Sequence, residues 1–255
     1  MRAALSIAGF DPCAGAGVLA DIKTFFSLGV YGISVASSMT IQNTCGVYGV
    51  YPLSPLLIKE QLTCLLRDLS ICGVKVGMLY GKEQVEAVVE VIRGFALEGV
   101  VVDPVFYSSS GVELLTREAL EIMKKELLPL AEVVTPNLKE ASILLDKEIR
   151  DISEMRIAAR EIYNLGCKRV LIKGGHLLDN NATDIYFDGN YYREISMPRI
   201  LNRDPHGTGC MYSSAIVAYW CKGEDWIDAI FRAKEFVHNA ILRSFKPGQG
   251  AFILC

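Results

Sequence analysis

Two rhythms of hydrophobic positions alternate along this chain. Short runs of consecutive apolar residues give way to longer stretches in which apolar residues recur every three or four positions. "AALSIAG" (3–9) predicts a first strand, followed by a Gly-rich loop and a helix over about 17–28 closed by Gly29. Val18, Leu19, Ile22, Phe25 and Phe26 fall on one face of that helix. "ISVASSMTI" (33–41) predicts a second strand, and Ser54-Pro55 opens a helix running to about Leu69. Further strands are predicted at 74–78, 99–105, 132–136 and 169–175. Helices are predicted at 82–93, 116–127, 137–145, 153–165, 208–222 and 226–244. Residues 184–195 differ: two alternating segments flank Asp188-Gly189, the signature of a hairpin.

Repeated strand–helix units with wholly apolar strands predict an α/β fold, a mostly parallel doubly wound sheet covered on both faces. No Pro/Ser-rich linker, repeat or low-complexity tract interrupts the order, so residues 1–255 read as one domain. The chain carries 26 Lys+Arg against 29 Asp+Glu, a net charge of −3, which gives no footprint for nucleic acid. No apolar stretch approaches the ~20 residues needed to span a bilayer. "MRAALSIAGFD" reaches an aspartate too early for a secretory signal. The eight cysteines, among them Cys64, Cys72, Cys167 and Cys221 in or beside apolar runs, read as small core residues in a reducing cytoplasm.

In such a sheet, ligands collect at the carboxyl ends of the strands. The unusual polar residues recur there: Asp11, Gln42-Asn43, Asp103-Pro104, Asn137 with Glu140, and Lys173-Gly-Gly-His176. "GAGVLA" (15–20) matches a dinucleotide-binding pattern, but that use needs an acidic residue after the second strand. No Asp or Glu occurs between Asp21 and Glu60, so the small residues read instead as backbone brought close to a compact ligand. "HGTGC" (206–210) at a helix start is the strongest signal, because bare N–H groups and the helix dipole make an anion site. Asn137 and Glu140 lie three apart at another helix start, oxygen donors suited to Mg²⁺ carried in with a nucleotide. Lys173 can neutralise phosphate charge, while His206 and His176 read as turn and loop residues without a chemical role.

Together these segments resemble the ribokinase-like small-molecule kinases, specifically the hydroxymethylpyrimidine/phosphomethylpyrimidine kinase family of thiamine biosynthesis. The resemblance runs from "SIAGFDPCAGAGVLADIKTFFSLGVYG" through "SVASSMTIQNTCGV", "VKVGML", "VVDPV", "TPNLKEA" and "VLIKGGH" to "HGTGC", nearly the whole chain in order. It implies a three-layer α/β/α sandwich, ATP and Mg²⁺ as cofactors, a small-molecule substrate and a homodimer. It implies that Gln42 reads the pyrimidine edge, with Asp11, Met78 and Val105 on the substrate side. Asn137, Gly207, Thr208 and Gly209 fall to ATP and phosphate, Glu140 and Asp103 to the metal, and Lys173 and Cys210 to catalysis. At the position of Cys210 the related sugar kinases carry an aspartate base. The chain departs from the family pattern at Ser109, at Pro205 and in the tail "KPGQGAFILC". Two other readings stand beside this one: a pyridoxal/pyridoxine kinase, and a catalytically weak pyrimidine-binding regulatory protein.

Overall fold

A computed structural model of the chain describes residues 2–175, 180–203 and 205–254. Among the described residues the main sheet has nine strands: β1 (Ala3–Phe10), β2 (Tyr31–Asn43), β3 (Gly46–Pro52), β4 (Ile71–Val76), β5 (Val100–Val102), β6 (Val133–Val134), β7 (Val170–Ile172), β8 (Asn181–Phe187) and β9 (Tyr192–Pro198). Their order is β3-β2-β1-β4-β5-β6-β7-β8-β9. The strands from β2 to β7 pair in parallel, and both edges are antiparallel. The connection reverses direction between β1 and β4, the crevice at which doubly wound sheets bind ligands.

Helices α2 (Pro55–Asp68), α3 (Lys82–Gly94), α4 (Arg117–Ile122), α5 (Leu138–Leu145) and α6 (Ile152–Tyr163) cover one face. Helices α1 (Gly17–Ser27), α7 (Thr208–Cys221) and α8 (Trp226–Arg243) cover the other. This is the three-layer sandwich. Asp151 and Asp225 cap α6 and α8 by accepting backbone N–H bonds from Glu154 and Asp228. Pro55 opens α2 as expected, although the Ser54 side chain makes no cap bond. Around Asp188-Gly189 the hairpin forms as read, with Asp188 accepting from the N–H groups of Asn190 and Tyr191.

The structure differs from the sequence pattern in three places. Strand β3 lies outside the predicted strands; it contains Gly46, Gly49 and Pro52, which weaken a strand interior and are tolerated on an edge. Along α1 the buried face contains Asp21 and Thr24 as well as Val18 and Phe25, while Phe26 is 82% exposed. Charge pairing turns this helix: Asp21 Oδ2 lies 2.8 Å from Lys75 Nζ on β4, with both side chains fully buried. Ser6 on β1 and Ser214 on α7 donate to the two carboxylate oxygens of Asp21 at 2.5 and 2.7 Å. Finally, Cys72 and Cys221 are not free thiols but a disulfide, joining the start of β4 to the end of α7. Gly73 lets the helix approach, since a Cβ there would meet Cys221 Sγ at 3.1 Å. Of the remaining cysteines read as core, Cys167 is buried and Cys64 is exposed.

The Lys75–Asp21 pair generates a stability prediction. Lys75→Met should cost about 3–5 kcal/mol, because it leaves an unpaired carboxylate in the interior. Adding Asp21→Asn should recover part of that loss by removing the stranded charge. Urea unfolding of both variants tests this, and a double variant no more stable than the single one contradicts it.

Candidate active site

The carboxyl edge of the sheet gathers the candidate residues into two neighbouring groups. The first lies at the ends of β5, β6 and β7. Asp103 follows β5, and its Oδ1 accepts from Lys173 Nζ at 2.7 Å and from Thr135 Oγ1 at 3.0 Å. Lys173 follows β7 and is held by its own N–H, which donates to the Pro136 carbonyl at 2.8 Å. The next residue must be small, because a Cβ on Gly174 would stand 1.9 Å from the Thr183 carbonyl oxygen. Glu140 Oε2 lies 3.9 Å from Lys173 Nζ.

Asn137 and Glu140 form a reciprocal capping box on α5: Asn137 Oδ1 accepts from the Glu140 N–H, and Glu140 Oε2 accepts from the Asn137 N–H. The ordinary helix-start role thus accounts for the hydrogen bonds of both residues, and Glu140 in addition faces Lys173. Burial works against the charge of Asp103, yet Lys173 and then Lys75 hold its carboxyl below the usual range. Burial pushes Glu140 up to about 7, with the neighbouring Asp103 adding to the effect and Lys173 opposing it. Burial also opposes the charge on Lys173, but Asp103 and Glu140 keep it firmly protonated.

Residues 207–210 lead into α7 above this group. Gly207 has φ +81, and a Cβ there would lie 1.8 Å from the Gly15 carbonyl oxygen. Only glycine permits this turn to close onto the 11–17 loop. A Cβ on Gly209 would stand 3.1 Å from Lys173 Nζ, so the backbone of the 207–210 turn lies directly against the lysine. Cys210 sits between the starts of α7 and α1, where the Gly17 N–H reaches it. Burial pushes its thiol up to about 11; Lys75 pulls the other way, while Asp21 and Asp103 add to the rise. The helix start alone does not produce a standing thiolate.

The second group faces the ends of β1, β2 and β4. Asp11 accepts from the N–H groups of Cys13, Gly15 and Ala16 at 2.8, 3.1 and 2.9 Å. Gln42, at the end of β2, lies between His206 Nε2 at 2.8 Å and Thr40 Oγ1 at 3.1 Å. His206 Nε2 also lies 3.3 Å from Asp11 Oδ2. Met78 packs on β1, its sulfur 2.8 Å from where a Gly9 Cβ would be. Val105 is half-buried just beyond Asp103, and Ser109 is exposed. His176 lies outside the described residues.

Sequence reasoning assigned no chemistry to His206, yet the structure sets it between two candidate substrate residues. Strand β10 (Pro205–His206) carries it, paired in parallel with β11 (Phe252–Ile253). The tail then reaches the β2–β3 turn, where Ala251 N–H donates to the Thr44 carbonyl at 2.8 Å and Gly250 N–H to Thr44 Oγ1 at 3.2 Å. A Cβ on Gly250 would lie 1.9 Å from that carbonyl oxygen. Lys75 was also missed, although a lysine inside the apolar run "VKVGM" signals a buried charge partner.

Comparison with known proteins returns a consistent set. A family model described as phosphomethylpyrimidine kinase matches residues 11–254. The hydroxymethylpyrimidine/phosphomethylpyrimidine kinase of Aquifex aeolicus is 47% identical over 251 residues, 98% of each chain. A crystal structure of phosphomethylpyrimidine kinase from Clostridium difficile 630 aligns with TM-score 0.84 at 37% identity, covering 94% of this chain and all of that one. A pyridoxal kinase from Staphylococcus aureus in complex with AMP-PCP and pyridoxal aligns with TM-score 0.92 at 32% identity, over 100% of this chain and 93% of that one.

The raised Glu140 carboxyl generates a prediction with a definite sign. A carboxyl whose folded pKa lies above its unfolded value binds more protons when folded, so stability falls as pH rises from about 4.5 through about 7. Glu140→Gln keeps the capping box and removes this dependence. In metal-free buffer the variant should gain on the parent by roughly 1–3 kcal/mol between pH 5 and pH 8. Urea unfolding at the two pH values measures the difference, and parallel pH profiles contradict the assignment.

Proposed function

Because this chain belongs to the phosphomethylpyrimidine kinase family, we propose that it transfers the γ-phosphoryl group of ATP to the hydroxymethyl group of 4-amino-5-hydroxymethyl-2-methylpyrimidine, and then a second group to the resulting monophosphate. One observation carries the reading. An anion-binding turn, a lysine and two carboxylates meet at 207–210, Lys173, Asp103 and Glu140, beside the amide of Gln42. Phosphoryl transfer is mainly positioning and charge stabilisation, and this group supplies both.

The substrate hydroxyl lies near Cys210, gives its proton to the ionised fraction of that thiol and attacks the γ-phosphorus, forming the new O–P bond as the bond to ADP breaks. Backbone N–H groups of Gly207, Thr208 and Gly209 and the ammonium of Lys173 offset charge on the transferring oxygens. Asn137, at the start of α5, stands on the nucleotide side. Gln42 offers a donor and an acceptor to the ring nitrogen and the exocyclic amine. Asp11, Met78 and Val105 complete the substrate side.

The residues fit a divalent cation of the Mg²⁺ type. Asp103 and Glu140 are hard oxygen donors, and the Asp103 carboxylate adds to the rise that burial imposes on Glu140, against the pull of Lys173. Among the described residues no three His, Cys, Asp or Glu side chains cluster, so water and phosphate would complete the shell. Such an ion, when bound, neutralises β- and γ-phosphate charge.

The reading includes one kinase domain over 1–255, a cytoplasmic location, and no nucleic-acid or membrane partner. Among the described residues no helix is long and apolar enough to cross a membrane. A homodimer would cover Met39, Ile41 and Tyr51, which are 41%, 53% and 59% exposed on the β2–β3 edge. A pyridoxal kinase is the second reading, favoured by the TM-score of 0.92 to a pyridoxal-bound enzyme.

ADP release with the aminopyrimidine, its monophosphate and pyridoxal separates these readings. Turnover of both pyrimidines is expected. Turnover of pyridoxal alone overturns the proposal, and no ADP from any of the three favours a binding protein. The same assay tests Cys210. A thiol pushed up to about 11 is ionised in about one molecule in 10⁴ at pH 7, so its help as a base falls below the usual range of ~10²–10⁴. Cys210→Ala should slow the alcohol step about tenfold and flatten its rise toward alkaline pH. It should slow the monophosphate step much less, because that nucleophile needs no deprotonation. Equal loss in both steps would make Cys210 a shaping residue of the turn.

A further inference from the structure

His206, Gln42 and Thr40 form a chain of contacts whose hydrogen count has only one solution. Thr40 Oγ1 lies 2.9 Å from the Phe10 carbonyl oxygen and 3.1 Å from the Gln42 amide. The hydroxyl has a single proton, and the Phe10 carbonyl can only accept it. Thr40 Oγ1 is therefore left as an acceptor toward Gln42, which must present an N–H there.

The other end of the chain gives the same answer independently. Asp11 already accepts three backbone N–H bonds, an arrangement that favours its ionised form. An ionised carboxylate only accepts, so His206 Nε2, 3.3 Å from Asp11 Oδ2, must carry a proton. The Gln42 atom 2.8 Å from that nitrogen must then be the carbonyl oxygen. In the structure Gln42 Nε2 faces His206 and Oε1 faces Thr40. The two orientations of an amide differ by a half-turn of the terminal group and are distinguished by the surrounding network. Here both ends of the network select the half-turned one.

We propose that His206 and Thr40 are positioning residues that lock the Gln42 amide in one direction, carbonyl toward His206 and N–H₂ toward Thr40, and thereby set which substrate edge the site accepts. The inference rests on Gln42 as the residue that reads the pyrimidine. With one N–H and one lone pair engaged, the locked amide keeps one N–H and one lone pair in a fixed order. An amidine edge, a ring nitrogen beside an exocyclic amine, offers an acceptor and then a donor. A lactam edge, a ring N–H beside a carbonyl, offers the same two groups in reverse. A freely turning glutamine reads both; a locked one reads only the amidine. The β10–β11 pairing holds the His206 backbone, and the Gly15 position leaves room for its ring, since a Cβ there would stand 2.9 Å from His206 Cδ2.

Two measurements test the inference. In ¹⁵N-edited NMR of the full-length protein, with His206 assigned by comparison with His206→Phe, Nε2 should be protonated. A proton on Nδ1 with a bare Nε2 overturns the lock whatever the enzyme's activity. Next, KM is compared for the 4-amino substrate and its 4-oxo analogue. His206→Phe and Thr40→Val should each cut the preference for the amino compound about tenfold or more, leaving KM for ATP within about twofold. Thr40→Ser, which keeps the hydroxyl, should retain the preference. An unchanged preference in both disruptive variants, or an equal rise in KM for ATP, overturns it. If the wild type phosphorylates neither pyrimidine, the proposed function fails, while the NMR result still decides the orientation of the amide.

Discussion

The interior of this molecule is organised around one ion pair. Lys75 and Asp21 are fully buried, and removing two charges from water costs several kcal/mol per ion unless each finds its partner and its hydrogen bonds. Those needs are met by four elements at once: β4 brings the lysine, α1 the carboxylate, and β1 and α7 one serine each. Satisfying the pair fixes the rotation of α1 and the depth at which α7 lies against the sheet. The starts of these two helices flank Cys210, so the same constraint places the thiol. It also shapes its chemistry, since Lys75 and Asp21 act on the thiol in opposite directions.

Beside this pair, Lys173 faces two buried carboxyls, those of Asp103 and Glu140. Asp103 takes the shortest contact to Lys173 at 2.7 Å, leaving Glu140 at 3.9 Å, where burial raises its carboxyl more than Lys173 lowers it. Glu140 also serves a structural need, closing the capping box of α5.

Much of this was legible in the sequence, and what was not has physical reasons. Apolar runs and caps marked the strands and helices because each obeys a local rule: Asp188-Gly189 needs only its own turn geometry, and Pro55 only its own φ. The residues at the strand ends were visible because polar groups there interrupt apolar patterns. Strand β3 was hidden because its glycines and proline are breakers everywhere except on an edge. The face of α1 was misjudged because a partner 54 positions away, Lys75, outweighed local hydrophobicity. His206 was hidden for the same reason. Its meaning lies in Asp11 and Gln42, which reach it only through the folded tail. Cys72 and Cys221 likewise showed no spacing signal, being 149 positions apart.

The contact between Thr44 and Gly250 has a consequence for the order of events on folding. These residues are 206 positions apart, and such distant closures are made late because their entropy is lost before their contacts form. The β2–β3 hairpin that carries Gln42 is local and can pair early against β1. Its tip is fastened only when residues 250–253 arrive, and those residues also pair with the strand that bears His206. A growing chain therefore builds most of its sheet before the tail fastens the β2–β3 turn and the strand that bears His206. The surroundings of Gln42 are thus the final increment of assembly, so a partly made molecule is a sheet whose β2–β3 tip is still unfastened.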